Sequence, residues 1–263
     1  MTRAGVVLWD KPAGISSHDV VLDARRRLGR EVKVGHAGTL DPFATGLLLI
    51  LVGRATRVQR YLMALPKTYE VTARFGAISS TGDPEGEISN TGRVPTGELR
   101  LPTGRVQQRP PAFSAVKVSG RRAYALARAG QPVELAERAV CVYRFEERWR
   151  DGERRRFTIK CSSGTYVRSL IADLGDAYCE QLRRTRIGPF DVAAADPATI
   201  VELADALEFL PEVRLDAERA RRASHGQAID DTAEGPVRLT DEHGLIAVAE
   251  PRGGVLRPVV GLR

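Results

Sequence analysis

The stretch from Gly35 to Gly53, GHAGTLDPFATGLLLILVG, restricts the fold more than any other part of the chain. Leu47 to Val52 is an unbroken run of six apolar residues. A run of that length suits a strand, or a turn of helix, buried on both faces. The half before it is a loop of small and special residues. Gly35, Gly38 and Gly46 permit backbone angles or close approaches that a Cβ forbids. Pro42 fixes its own φ and biases Asp41 away from helix. One carboxylate, Asp41, therefore stands on a stiff Gly/Pro loop anchored by a buried segment, and His36 lies five residues upstream. Loops held by a rigid frame are where reactive side chains are positioned. Asp-Pro is also an ordinary turn opener, so this loop alone identifies no chemistry.

The chain has 263 residues, room for one large domain or a large domain and a small one. Apolar residues make up 43%, which allows a sizeable core and argues against wholesale disorder. No apolar run approaches the ~20 residues of a membrane helix. The N-terminal MTRAGVVLWDKPAG has too short an apolar stretch for a secretory signal. Cys141, Cys161 and Cys179 lack metal-ligand spacing, and their odd number argues against a disulfide framework. A cytoplasmic location is expected. The net charge is +7, carried almost wholly by Arg. A basic surface favours polyanions, nucleic acid first.

Val6 to Trp9 reads as a strand, and Ser16 or Ser17 as the N-cap of a helix from His18 to about Leu28. Ala55 to Leu65 reads as a helix, and Lys67 to Phe75 as an alternating, half-buried strand. Ser79 to Gly104 reads as a long surface loop. Further on, SAVKV is expected to be a short strand, Ser119-Gly120 a turn and Arg121 to Ala129 a helix. Val140 to Trp149 and Arg154 to Cys161 form an expected hairpin turning at Asp151-Gly152. Helical spacing recurs from Gly164 to Leu174. Leu182 to Phe190 reads as a basic run, and Pro197 to Leu210 as a helix. From Pro211 short apolar pieces alternate with Gly, Pro and Asp turns, as in a small all-β unit. The expected division is therefore 1–210 and 211–263.

Six segments stand out together: KPAGISSHDVV, GHAGTLDPFATG, KTYEV, QRPPAFSAVKVSGRRAY, CSSGTYVRSL and LRRTRIG. In order and content they resemble the signature segments of the TruB family, bacterial tRNA pseudouridine-55 synthases. The resemblance covers nearly all of residues 5–195. The tail resembles, more weakly, a small PUA-like RNA-binding β domain. The fold this implies is α+β: a mixed, mostly antiparallel sheet flanked by helices, with an RNA-clamping insertion at about 76–135.

The resemblance also implies roles. The family isomerises the uridine at position 55 in the T loop of tRNA, with no cofactor and no metal. Asp41 matches the essential carboxylate, which acts near C1′ and C6 of the target. Arg168 matches its guanidinium partner, a residue type that stays charged and binds carboxylates in a bidentate manner. Tyr69 matches the catalytic tyrosine that stacks on the uracil and is a candidate for the proton transfer that ends the reaction. Tyr166 matches a second pocket tyrosine, Leu182 an apolar wall, and His36 the histidine that enters the T-loop fold. Lys11 matches a lysine supporting the loop. Candidates for the RNA backbone are Lys117, Arg121, Arg122, Arg183 and Arg184, with Arg54, Arg57, Arg60, Arg128 and Arg186 behind them. The expected partner is the tRNA T arm, met by a monomer with no obligate protein partner and no membrane.

The sequence departs from the family between Val94 and QRPP, where a helix is usual and GRVPTGELRLPTGRVQ is short and helix-poor. The link from Gly175 to Leu182 is abbreviated, and the C-terminal unit is small enough to lean on the main domain. These departures bear on RNA affinity more than on chemistry. They motivate a rival reading, an RNA-binding or RNA-folding module without catalysis. The full set of Asp41, Tyr69, Tyr166 and Arg168 argues against it. A third reading is a related synthase acting on another RNA.

Overall fold

The computed structural model describes residues 4–29, 31–114, 116–118 and 120–263. Ala115 of the expected SAVKV strand, Ser119 of the expected turn and the first three residues of the N-terminal stretch lie outside them. The chain opens with β1 (Gly5–Lys11), α1 (Ser17–Leu28), β2 (Val34–Ala37) and β3 (Thr45–Val52). A 3-10 turn at Gly53–Val58 leads into α2 (Gln59–Ala64) and β4 (Lys67–Phe75). The insertion holds β5 (Ala77–Ser79), β6 (Ile88–Asn90), β7 (Gly104–Gln108), β8 (Lys117–Val118), β9 (Arg121–Arg122) and α3 (Ala123–Arg128). Then come β10 (Arg138–Asp151), β11 (Arg154–Cys161), α4 (Val167–Ala172), β12 (Ala177–Ile187) and β13 (Phe190–Asp191). The chain ends with β14 (Val201–Glu202), α5 (Leu203–Ala206), β15 (Glu212–Arg214), α6 (Ala217–Ser224), β16 (Val237–Asp241), β17 (Gly244–Arg252) and β18 (Val255–Gly261).

Among the described residues ten strands make one mixed sheet. Its order is β14-β1-β3-β12-β4-β11-β10-β7, with β2 beside β3 and β13 beside β12. Within it the β3–β12 pairing is parallel and the others are antiparallel. β3 is buried on both faces. Leu47, Leu49 and Leu51 share one apolar cluster with α2, α5 and the C-terminal Val248, Val260 and Leu262. Leu48, Ile50 and Val52 share another with Val20, Val21 and Ala24 of α1. A third cluster joins Val71, Phe75, Phe157 and Ile159 to Leu170 and Ile171 of α4. Helix α1 starts at a capping box, in which the Ser16 and Asp19 side chains bond each other's backbone N–H.

The structure corrects four expectations. Residues 177–187 are not a link and a basic run but strand β12, near the centre of the sheet. Two bulges, after Cys179 and after Arg184, break its alternation. The helix expected over 197–210 shrinks to Leu203–Ala206, because Val201 and Glu202 pair with the edge of β1 instead. The helix expected over 121–129 starts only at Ala123, after Arg121 and Arg122 have paired with β8. The C-terminal unit is not all-β. Its sheet β15-β16-β17-β18 carries α6, N-capped by the Asp216 carboxylate.

That unit does lean on the rest. The Arg54 and Arg57 guanidinium groups donate to the carbonyls of Leu262 (2.9 Å) and Gly261 (3.2 Å). The Tyr61 hydroxyl donates to Glu250 at 2.9 Å. Among the described residues, no helix is long and apolar enough to cross a membrane.

Gly46 is the residue on which the β3–β12 junction turns. Its φ is +104°, and a Cβ there would lie 2.2 Å from the Arg184 carbonyl oxygen. Both the backbone angle and the space exclude a side chain. Gly46→Ala is therefore expected to destabilise the fold by at least about 2 kcal/mol in chemical denaturation. A change below about 0.5 kcal/mol would contradict this account of the junction.

Candidate active site

The Gly38–Leu47 segment is held by cations bonded to its carbonyls. Lys11, fully buried in β1, donates from Nζ to the carbonyls of Pro12 (2.8 Å), Ile15 (2.8 Å) and Pro42 (3.1 Å). Burial lowers its pKa to about 8, and the Asp41 carboxylate works against that shift. Arg184 reaches in from β12. Its Nε donates to Leu47 O at 2.7 Å, and its terminal nitrogens to Gly38 O (3.0 Å) and Thr39 O (3.3 Å). Ser17, at the start of α1, exchanges hydrogen bonds with the Leu40 backbone through its hydroxyl. Gly14 N donates to Pro42 O at 2.9 Å. The loop between these bonds carries Asp41.

Arg168, on α4, meets Asp41. Its Nε lies 2.9 Å from Oδ2, and Nη2 donates to Oδ1 at 3.3 Å. The same guanidinium donates to Asp83 Oδ2 (3.0 Å), Thr81 O (2.6 Å) and Phe113 O (2.8 Å). The Arg168 side chain is 4% exposed and that of Asp41 32%, so the carboxylate is the end of the pair that faces outward. Asp83 is buried and also accepts from the Thr81 hydroxyl and the Glu85 N–H. Sequence reasoning passed over Asp83. Its signal was a second Asp-Pro, in STGDPEG, within a stretch read as surface loop.

Tyr69 and Arg184 are register partners on β4 and β12, and Leu182 pairs with Val71 on the same strands. Tyr69 and Leu182 are both buried in the cluster that also holds Leu40 and Ala44 from the loop. Burial raises the Tyr69 phenol above its usual pKa, opposed by the nearby Arg184 guanidinium. His36 sits on β2. Its Nδ1 is buried without a partner. Burial first, then the Arg184 charge, lowers its pKa and keeps it neutral. Tyr166 is half-buried at the entry to α4, with backbone N–H and C=O bonded to the Gln108 side chain.

The candidate RNA contacts divide. Arg184 is 1% exposed and committed to carbonyls, so the expectation that it meets phosphate is corrected: it supports the loop. Arg54 and Arg57 seat the C-terminal unit, and Arg60 pairs with Glu250 at 2.8 Å. Arg183 forms two hydrogen bonds to Asp10. Arg186 faces Asp191 at 3.6 Å, and Arg128 lies over the Tyr124 ring. Arg121 and Arg122 are exposed on β9, while the side chain of Lys117 lies outside the described residues.

Comparison with known proteins now adds a family to this geometry. Residues 25–167 match the model of the TruB family pseudouridylate synthase N-terminal domain, and residues 211–262 that of the pseudouridine synthase II TruB C-terminal domain. The chain is 44% identical to tRNA pseudouridine synthase B of Thermobifida fusca (strain YX), over 97% of each chain. It is 40% identical to the protein of that name from Rhodococcus jostii (strain RHA1), over 96% of this chain and 92% of the relative. Among solved structures, a Cbf5–Nop10–Gar1 complex matches at a TM-score of 0.68 and 26% identity, covering 94% of this chain and 78% of that one. The fold and the comparisons define a pseudouridine synthase. Within that class, the chain belongs to the TruB family.

A pH dependence follows from the site. Burial raises the Asp41 pKa, Arg168 opposes the rise, and the Asp83 charge adds to it. A carboxylate with a raised pKa takes up its proton at a higher pH than usual. Activity that needs ionised Asp41 should therefore fall, on acidification, above the ordinary Asp value of 3.8. Asp83→Asn removes a like charge and should move that acid limb to lower pH. A single-turnover pH profile checks both, and an upward movement in the variant would contradict the assignment.

Proposed function

We propose that this protein isomerises uridine to pseudouridine at position 55 in the T loop of tRNA, with Asp41 as its essential carboxylate. Near-full-length relatives bearing the name tRNA pseudouridine synthase B support the substrate. One observation carries the chemistry: a partly exposed carboxylate ion-paired with a buried guanidinium, which donates one hydrogen bond to its Oδ1. The reaction is redox-neutral. The N1–C1′ bond breaks, the uracil turns, a C5–C1′ bond forms, C5 loses a proton and N1 gains one, so atoms and electrons balance within the substrate.

The residues divide the work. The target nucleotide leaves its stack and enters the pocket, as in other enzymes that act on a base. Tyr69, its phenol kept neutral by burial, stacks on the uracil. Leu182 forms an apolar wall and Tyr166 a second aromatic contact. Neutral His36, with its unpartnered Nδ1, meets the T-loop bases. Asp41 acts near C1′ of the sugar and C6 of the base, and Arg168 keeps it ionised and in one orientation. Lys11 and Arg184 hold the loop. Arg121, Arg122, Arg183 and Lys117 serve the phosphates, and recognition rests on the shape of the T arm. The enzyme works as a monomer, dividing near residue 211. A separate apolar cluster drawn from residues 215–256 supports that division.

Tritium release from tRNA labelled at uridine C5 tests the assignment. Asp41→Asn should leave folding and tRNA binding nearly intact and lower release by about a thousandfold or more. Release within about tenfold of wild type would refute the role of Asp41.

A further inference from the structure

One arginine outside the set that the sequence singled out, half-buried, is bound to the chain around Tyr166. Arg138 opens β10 and is the register partner of Gln108 on β7. Its guanidinium carbon lies 4.9 Å from the centroid of the Tyr166 ring. Its Nη2 donates to the carbonyl of Gly164. Its Nε is buried without a hydrogen-bond partner. Among the described residues, no carboxylate forms an ion pair with it.

The same strand pair grips the backbone around Tyr166. Gln108, 2% exposed, accepts from Tyr166 N–H at 2.7 Å and donates to Tyr166 O at 2.8 Å. Ser162 N–H donates to Cys141 O at 2.8 Å, and the Ser162 hydroxyl accepts from Cys141 N–H at 2.9 Å. The loop from Ser162 to Tyr166 is thus fixed to β10 and β7 before it enters α4. Those bonds set the backbone. They leave the tyrosine ring free to turn about its side-chain torsions. A guanidinium lying over the ring is a contact that restricts them.

We propose that Arg138 is a positioning residue for the pseudouridylation step: its stacked guanidinium fixes the plane of the Tyr166 ring and leaves the rest of the ring to the flipped uracil. This rests on the reading of Tyr166 as a pocket residue given above. Arg138 touches no reacting atom and acts through Tyr166. Its contribution belongs to the step in which the base is held for reaction. Affinity for tRNA belongs to residues that meet phosphates.

A double-mutant cycle separates this role from the alternatives. Arg138→Met should slow single-turnover pseudouridine formation by about tenfold in the wild-type background, and by less than about twofold in the Tyr166→Leu background. Its dissociation constant for tRNA, and the salt dependence of that constant, should stay as in wild type. Arg138→Lys keeps the charge and a donor for Gly164 O but not the planar stack, and should be impaired as well. Equal losses in both backgrounds would overturn the proposal, since Arg138 would then act independently of Tyr166. Weaker binding with a shallower salt dependence would also overturn it, by making Arg138 a phosphate contact. Full activity of Arg138→Lys would exclude stacking as the cause. Should Arg138→Met unfold, the lysine variant decides alone. No product from wild type, or no loss in Tyr166→Leu, would instead count against the functional reading itself.

Discussion

A guanidinium buried among two carboxylates and two carbonyls holds the site together. Removing such a charge from water costs on the order of several kcal/mol, which opposite charges and hydrogen bonds must offset. Arg168 meets Asp41, Asp83, Thr81 O and Phe113 O. These partners come from three separate parts of the chain. Asp41 belongs to the loop before β3, Thr81 and Asp83 to the turn between β5 and β6, and Phe113 to the segment between β7 and β8. Satisfying one cation therefore draws the insertion onto the loop that carries Asp41. Losing either carboxylate would leave the other partners around an undercompensated charge.

The loop itself is an inversion of the usual arrangement. Loop carbonyls mostly face water; here those of Gly38, Thr39, Pro42 and Leu47 face Arg184 or Lys11. Two fully enclosed cations thereby replace solvent beneath Asp41. They also set the local field. Arg184 depresses the His36 pKa and opposes the rise at Tyr69, while Lys11 favours ionised Asp41. Support and electrostatics come from the same side chains, which is how a rigid site acquires a preset charge environment.

Much of this was legible in the sequence where local rules govern. The apolar run of β3, the serine N-cap of α1, the alternation of β4 and the turn at Gly152 all obey short-range patterns. Strand β12 was hidden because two bulges disturb its period and its buried positions include an arginine. Arg184 reads as a solvated cation until the carbonyls that receive it are placed in space. The same holds for Arg54 and Arg57, whose partners lie about two hundred residues away. Asp83 was missed because a carboxylate in a polar loop looks exposed until Arg168 is brought to it. The resemblance supplied Asp41, Arg168 and Tyr69 as a set. No spacing rule links residues so far apart in sequence.

The central claim is that this site makes pseudouridine at one place in tRNA. Its most direct test is chemical mapping of an unmodified tRNA transcript after incubation with the purified protein, using carbodiimide adducts read by primer extension. The account predicts one new stop, at uridine 55, and none with a transcript whose T loop is scrambled. Stops at other uridines, or no stop from a folded protein that binds the transcript, would contradict it.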